Sequence, residues 1–150
     1  MTESATKETK EHIGNVEKFL RQISMELKGR AAEHDKSKLN TPEKETFDRV
    51  TPKLRGLTYG SPEYQEMLSE MKPALDHHYR NNRHHPEHHQ NGIDGMNLID
   101  LIEMLADWKA ATLRHEDGDI TTSIKHNAKR FNLSPQLEQI LLNTVPYLGW

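Results

Sequence analysis

The chain has 150 residues and a formal net charge of −3, the size of a single domain spanning 1–150 and too few cations for tight non-specific nucleic-acid binding. It has no cysteine, which excludes disulfides, a thiolate nucleophile and Cys-type zinc sites. No apolar run approaches a membrane span or a signal-peptide core, so the expected setting is cytoplasmic, without a membrane.

The elements follow in chain order. Residues 1–5 are expected to fray. From about residue 6 to 28, Val16, Phe19, Leu20, Ile23 and Leu27 recur at helical spacing, and His12 lies on the same stripe. A short second helix is expected over residues 31–39. Thr41-Pro42, Ser61-Pro62 and Ser134-Pro135 each set a capping hydroxyl before a proline, whose missing N–H is no loss at a first helical position. The helix after Thr41 runs through Phe47 and Val50 to a turn near Gly56 and Gly60. The helix after Ser61 carries Met67, Leu68, Met71 and Leu75, with His78 next on that stripe and His77 about 100° round.

Residues 81–95 hold Asn, Gly, Pro and four histidines and read as a loop. Residues 96 to about 115 give the strongest helix, with Leu98, Leu101, Ile102, Leu105 and Trp108 as its apolar set; Trp108 reads as core. Asp100, Glu103 and Asp107 share a face of it. Helices over 120–131 and 136–143 complete the chain, and the apolar segment 141–150 either caps the bundle or covers a homodimer contact. β-Branched residues are scarce and no stretch alternates apolar with polar for long. The fold class is therefore all-α, a compact bundle of about six helices.

Two features of composition belong together. Leu, Ile, Val and Phe number only 30, while histidine numbers ten, six of them between His77 and His89. The adjacent His34-Asp35 is the sharpest local feature. A His from one helix, a His-Asp pair from a second and an Asp from a later one could surround one divalent ion, and His12, His34, Asp35 and Asp107 meet that description in order. A single His-Asp pair is common and is usually an ordinary polar contact. Several such residues pointing inward are costly without compensation, and an ion is the simplest compensation. Imidazole with carboxylate suits Mn, Fe, Co, Ni or Zn, with Mg a further option.

The string HDKSKL resembles the HD superfamily of metal-dependent phosphohydrolases, more closely the HDxGK signature of its HD-GYP branch, with Ser37 in place of Gly. The resemblance implies a helical bundle of the HD-domain type, in which a first His, the His-Asp pair and a distal Asp hold one metal. Members with more ions add a His on the next helix and a His-His pair in the loop after it. The order here is His12, His34-Asp35, His77 or His78, His84-His85 and Asp107, and the apolar stripe favours His78. The loop HHPEHHQNGIDG is similar to the HD-GYP loop but lacks the Gly-Tyr-Pro element, so no cyclic dinucleotide substrate is implied. RAAEHDKSKL, NRHHPEHH and LIEMLADWKAA together resemble a family of small, uncharacterised His-rich proteins of phages and bacteria, over roughly residues 12–114.

The resemblance implies one or two divalent transition-metal ions. Asp35 would bridge, with His12, His34 and Asp107 on one ion and His78, His84 and His85 on the other. The activity implied is hydrolysis of a small phosphorylated substrate, a nucleotide or similar ester, by metal-acidified water. Lys38 matches the family's lysine and is expected on phosphate; Arg30, a turn before His34, is a second such candidate and Arg83 a third, with a solvated loop charge as the other reading of Arg83. Glu103 could orient a ligand histidine or, with Asp100, form an exposed charged stripe. Glu33 and Glu87 are candidate general acids or bases. His88 and His89 exceed the family pattern and read as loop residues, and His115 and His126 as surface. The alternative function is a non-catalytic, His-rich helical protein that binds metal or a host factor.

Overall fold

The computed structural model describes residues 3–54, 61–114 and 118–150. Gly56, Tyr59, Gly60 and His115 lie outside them. Six helices are present and, among the described residues, no strand: α1 (Glu3–Glu33), α2 (Glu43–Leu54), α3 (Pro62–Asn81), α4 (Leu98–Thr112), α5 (Ile120–Phe131) and α6 (Pro135–Tyr147). No helix of the described residues is long and apolar enough to cross a membrane. The chain divides into two compact units, Met1–His34 and Asp35–Trp150.

The first unit is α1, a helix of 31 residues, or about 46 Å at 1.5 Å per residue. It is longer at both ends than the apolar stripe predicts, because Glu, Lys, Arg and Ala flank the stripe and all favour helix. No residue of it is buried. The expected separate helix over 31–39 does not form. Residues 31–33 continue α1, and Lys36–Leu39 make a short 3-10 turn. The reason is Asp35, which has φ 55°. A left-handed residue cannot propagate a right-handed helix, and Asp tolerates that conformation at about 1–2 kcal/mol.

In the second unit α2 packs on α3, where Val50, Met71 and Ala74 are buried. The expected cap at Thr41 is replaced. The Thr41–Pro42 peptide is cis and α2 starts one residue later, at Glu43, while the Thr41 hydroxyl donates to Glu45 Oε1 at 2.5 Å. The loop between α3 and α4 contains two further 3-10 turns, Pro86–His88 and Gly92–Gly95. α4, α5 and α6 close around the main hydrocarbon core of Met104, Leu105, Trp108, Ile120, Ile124, Ala128, Leu133, Leu141 and Val145. Trp108 stacks parallel on Phe131, ring centroids 6.3 Å apart, so it is a core residue as its helical position implies. Ser134 caps α6 by accepting from Leu137 N at 3.2 Å. α6 extends past 143 to Tyr147, and its Leu141 and Val145 cap the bundle.

Candidate metal centre

Four side chains of the second unit converge: Asp35, His78, His84 and His85 each offer one ligand atom, all within 4.8 Å of one another. Each arrives by a different local device. Asp35 stands in its left-handed turn, which re-aims the carboxylate as a helical residue could not. His78 follows Met71 and Ala74 on the buried stripe of α3 and is 1 % exposed, so it, and not the one-third exposed His77, joins the group.

His84 and His85 come from the loop, which is clamped on both sides. The Arg83 guanidinium donates to both oxygens of Asp100, at 3.3 and 3.0 Å. Asp100 is 0 % exposed and closes the reciprocal cap of α4, accepting from Asn97 N at 3.1 Å while its own N–H donates to Asn97 Oδ1 at 2.9 Å. His89 Nε2 donates to the Arg83 carbonyl at 2.9 Å and His88 Nδ1 to the Tyr79 carbonyl at 2.8 Å. The last two histidines therefore staple the loop that carries the first two, and Arg83 is committed to a buried carboxylate.

The direction of each imidazole follows from its far nitrogen. His78 Nδ1 faces Glu43 Oε2 at 2.9 Å and His84 Nδ1 faces Glu103 Oε1 at 3.1 Å. A carboxylate accepts, so both Nδ1 atoms carry the proton and both Nε2 atoms present lone pairs. Both Nε2 atoms lie near one oxygen: Asp35 Oδ1 is 3.3 Å from His78 Nε2 and 3.5 Å from His84 Nε2. His85 Nε2 is 3.0 Å from His78 Nε2. With its Nδ1 turned to Glu43, His78 presents an acceptor at Nε2 toward the Asp35 carboxylate, and two acceptors repel unless a proton or a cation lies between them. Four donors about 2.0–2.1 Å from a tetrahedral ion stand about 3.3–3.4 Å apart, close to the observed spacings. Three imidazoles and a carboxylate fit a divalent transition ion.

The electrostatics favour the neutral, metal-binding form of His78 and His85. Burial pushes the His85 imidazole down to about 3, assisted by the neighbouring His84 and His78 rings, while Asp107 and Asp35 oppose the shift. Burial likewise lowers His78, with the Lys38 charge adding to it and Asp35 and Glu43 opposing. Phe47 stands edge-on to the His78 ring at 6.4 Å and helps to keep that side dry. Lys38 Nζ donates to Asp35 Oδ2 at 2.6 Å, so the two oxygens of Asp35 face different partners.

The remaining expected site residues are placed as follows. Asp107 is half-buried on α4 and acts electrostatically on His85. His12 is exposed on α1, Arg30 is half-buried in its last turns, and His34 is half-buried in the turn that follows; all three belong to the first unit. Glu103, with its side chain 11 % exposed, backs His84. It and Asp100 are therefore not an exposed stripe. Glu87 pairs with Arg130 at 2.8 Å.

Sequence reasoning missed Glu43, Ser37 and Asn82, which back His78. Asn82 Nδ2 donates to Ser37 Oγ and to the His78 carbonyl, both at 2.8 Å, and Ser37 Oγ donates to Glu43 Oε2 at 3.0 Å. A Glu just after Thr-Pro reads only as an acid in the first turn of a helix, and no pattern signals its burial.

Compared with known proteins, residues 1–146 match the model of one family, described as a family of unknown function (DUF5662). No curated protein and no solved structure matches the chain.

Proposed function

Because the chain belongs to the DUF5662 family of unknown function, its activity has to be argued from its own site, and we propose that it is a metal-dependent phosphohydrolase acting on a nucleotide or a similar small phosphate ester. The observation that carries this reading is the gathering of Asp35, His78, His84 and His85, whose ligand atoms lie within 4.8 Å of one another, with His78 Nε2 3.3 Å and His84 Nε2 3.5 Å from Asp35 Oδ1. When bound there, a divalent ion supplies Lewis acidity toward a phosphoryl oxygen and a water acidified toward neutrality. Asp35, His78, His84 and His85 would hold it, and Asp107 adds negative charge nearby. The order of these residues supports the reading further, since it parallels the ligand order of the HD superfamily.

The chain's own contribution to phosphate chemistry centres on Lys38. Its ammonium has three donors, one of which goes to Asp35 Oδ2. The side chain is 35 % exposed, so the other donors can meet a phosphoryl oxygen entering from solvent. Lys38 thereby does two things: it turns the Asp35 carboxylate so that Oδ1 faces the imidazoles, and it offers positive charge where negative charge develops during phosphoryl transfer.

The test is elemental analysis of the purified protein, followed by phosphate release from a panel of nucleotides and phosphodiesters with Mn²⁺, Co²⁺ or Mg²⁺. Asp35→Asn is expected to lose both metal and turnover. Lys38→Met is expected to bind metal more weakly, because Asp35 loses its orienting partner, and at saturating metal to lower turnover by about 10²-fold or more. Less than one ion per chain after reconstitution overturns the ligand assignment. A full complement of metal with no turnover on any substrate moves the reading to a non-catalytic metal-binding protein.

A further inference from the structure

We propose that Glu43 is a positioning residue for this centre: it fixes the His78 proton on Nδ1, commits Nε2 to the ion, and ties the start of α2 to metal occupancy. The inference rests on the metal reading above and concerns a residue that reading does not otherwise use. Glu43 is 0 % exposed, and its two oxygens divide the work. Oε2 accepts from His78 Nδ1 at 2.9 Å and from the Ser37 hydroxyl at 3.0 Å, while Oε1 accepts from His77 Nδ1 at 2.7 Å.

Asn82 removes the ambiguity in this arrangement. Its amide lies 3.0 Å from His78 Nδ1 but has better acceptors in Ser37 Oγ and the His78 carbonyl, each at 2.8 Å. With both amide hydrogens spent there, the Ser37 proton goes to Glu43, and so does that of His78 Nδ1. A neutral His78 then has its lone pair at Nε2, the atom that faces Asp35 Oδ1 and His85 Nε2. The opposite tautomer would put a lone pair against the Glu43 carboxylate, acceptor against acceptor, between two side chains that are both buried.

Charge completes the argument. A buried carboxylate needs compensation, and the hydroxyl and imidazole N–H groups that face Glu43 supply hydrogen bonds to it. A divalent ion held by His78 would polarise the ring and strengthen the N–H bond from Nδ1 to Glu43, so occupancy would stabilise Glu43 where it sits. Because Glu43 is the first residue of α2 and His78 lies on α3, the same bond links the packing of the two helices to the metal.

The experiment uses the full chain, stripped with chelator and titrated with Zn²⁺ against a chromophoric competitor, as wild type, Glu43→Gln and His77→Gln. Glu43→Gln is expected to keep the stoichiometry and to bind Zn²⁺ about 10–100-fold more weakly; His77→Gln is expected to stay near wild type, since His77 is not among the converging groups. Imidazole ¹⁵N spectra of the metal-free wild type should show His78 protonated on Nδ1, with a mixture of tautomers in Glu43→Gln. Zn²⁺ should slow amide exchange in α2 of the wild type and not of the variant. Equal Zn²⁺ affinity in wild type and Glu43→Gln overturns this proposal and leaves the metal reading standing, whereas a wild type that takes up no Zn²⁺ overturns both. Should Glu43→Gln fail to fold, the wild-type ¹⁵N spectrum still decides: a His78 proton on Nε2 overturns the proposal.

Discussion

Helix α4 borders two interiors of opposite chemistry. Met104, Leu105 and Trp108 enter a core built with α5 and α6 from hydrocarbon and one stacked aromatic pair. Glu103, one residue before Met104, turns instead to His84, in an interior of imidazoles and carboxylates. The first interior is held together by removal of apolar surface from water, which needs no ligand. The second gathers imidazoles and carboxylates at short distance, and on the proposed reading a cation would join them and make the arrangement favourable. The stability of one should therefore ignore metal, and that of the other should depend on it.

The largest effect is expected in the hydrocarbon core. Ile124 is 0 % exposed, and Ile124→Ala should cost about 2–5 kcal/mol through lost burial and the cavity left behind. In urea denaturation the loss should be the same with and without Zn²⁺. A Zn²⁺-dependent loss would show that the two interiors are one cooperative site.

Adding the ion is expected to act next most strongly. At a hundredfold excess over its dissociation constant, Zn²⁺ should stabilise the wild type by about 2.7 kcal/mol, read as a shift of the urea midpoint. In His84→Ala that shift should vanish, because one of the three imidazoles is gone. A midpoint that Zn²⁺ does not move in the wild type would leave the polar interior as a hydrogen-bonded network and nothing more.

The difference between the interiors also explains what could be read from the chain alone. Leu105 and Trp108 announce themselves by periodicity, because each acts through an area that any apolar neighbour can cover. Six helices and the 120–131 boundaries follow from that pattern. In the polar interior, the His78 position was legible because it continues an apolar stripe, and His84-His85 only through the resemblance to the HD superfamily, since His77-His78 and His88-His89 are equally adjacent. Asp35 in a left-handed turn and Glu43 buried behind two histidines were not legible. Glu43 is buried by directional contacts with His77 and His78, far along the chain, and Asp35 meets His78 and His84 only through the fold; local spacing carries no trace of either.

A shift in pH should separate the interiors as well. In metal-free protein the unfolded His85 takes up a proton below about 6.5, whereas the folded one resists it until about 3. Stability contributed by keeping this ring neutral is complete above pH 6.5 and falls steadily from there toward pH 3. At pH 5 the loss from His85 alone is on the order of 2 kcal/mol. Urea midpoints at pH 7 and pH 5 should therefore diverge more in the wild type than in His85→Gln. An equal fall in both would place the acid sensitivity elsewhere.

The smallest effect makes the sharpest comparison, because the same chemistry occurs at the edge of each interior. Ser134 accepts from Leu137 N at the start of α6, and Asn97 accepts from Asp100 N at the start of α4. Replacing either by Ala should cost about 1 kcal/mol, the usual worth of such a cap. The Ser134 cap serves only the helix that closes the hydrocarbon core, so Ser134→Ala should leave Zn²⁺ affinity unchanged. Asn97 also holds Asp100 in place, Asp100 holds Arg83, and Arg83 immediately precedes His84. Asn97→Ala should therefore weaken Zn²⁺ binding in the competition titration at nearly the same cost in stability. If both variants weaken it equally, metal affinity follows global stability and the clamp on the histidine loop has no separate role; if only Asn97→Ala does, the loop's attachment to α4 sets how well the site is formed before the ion arrives.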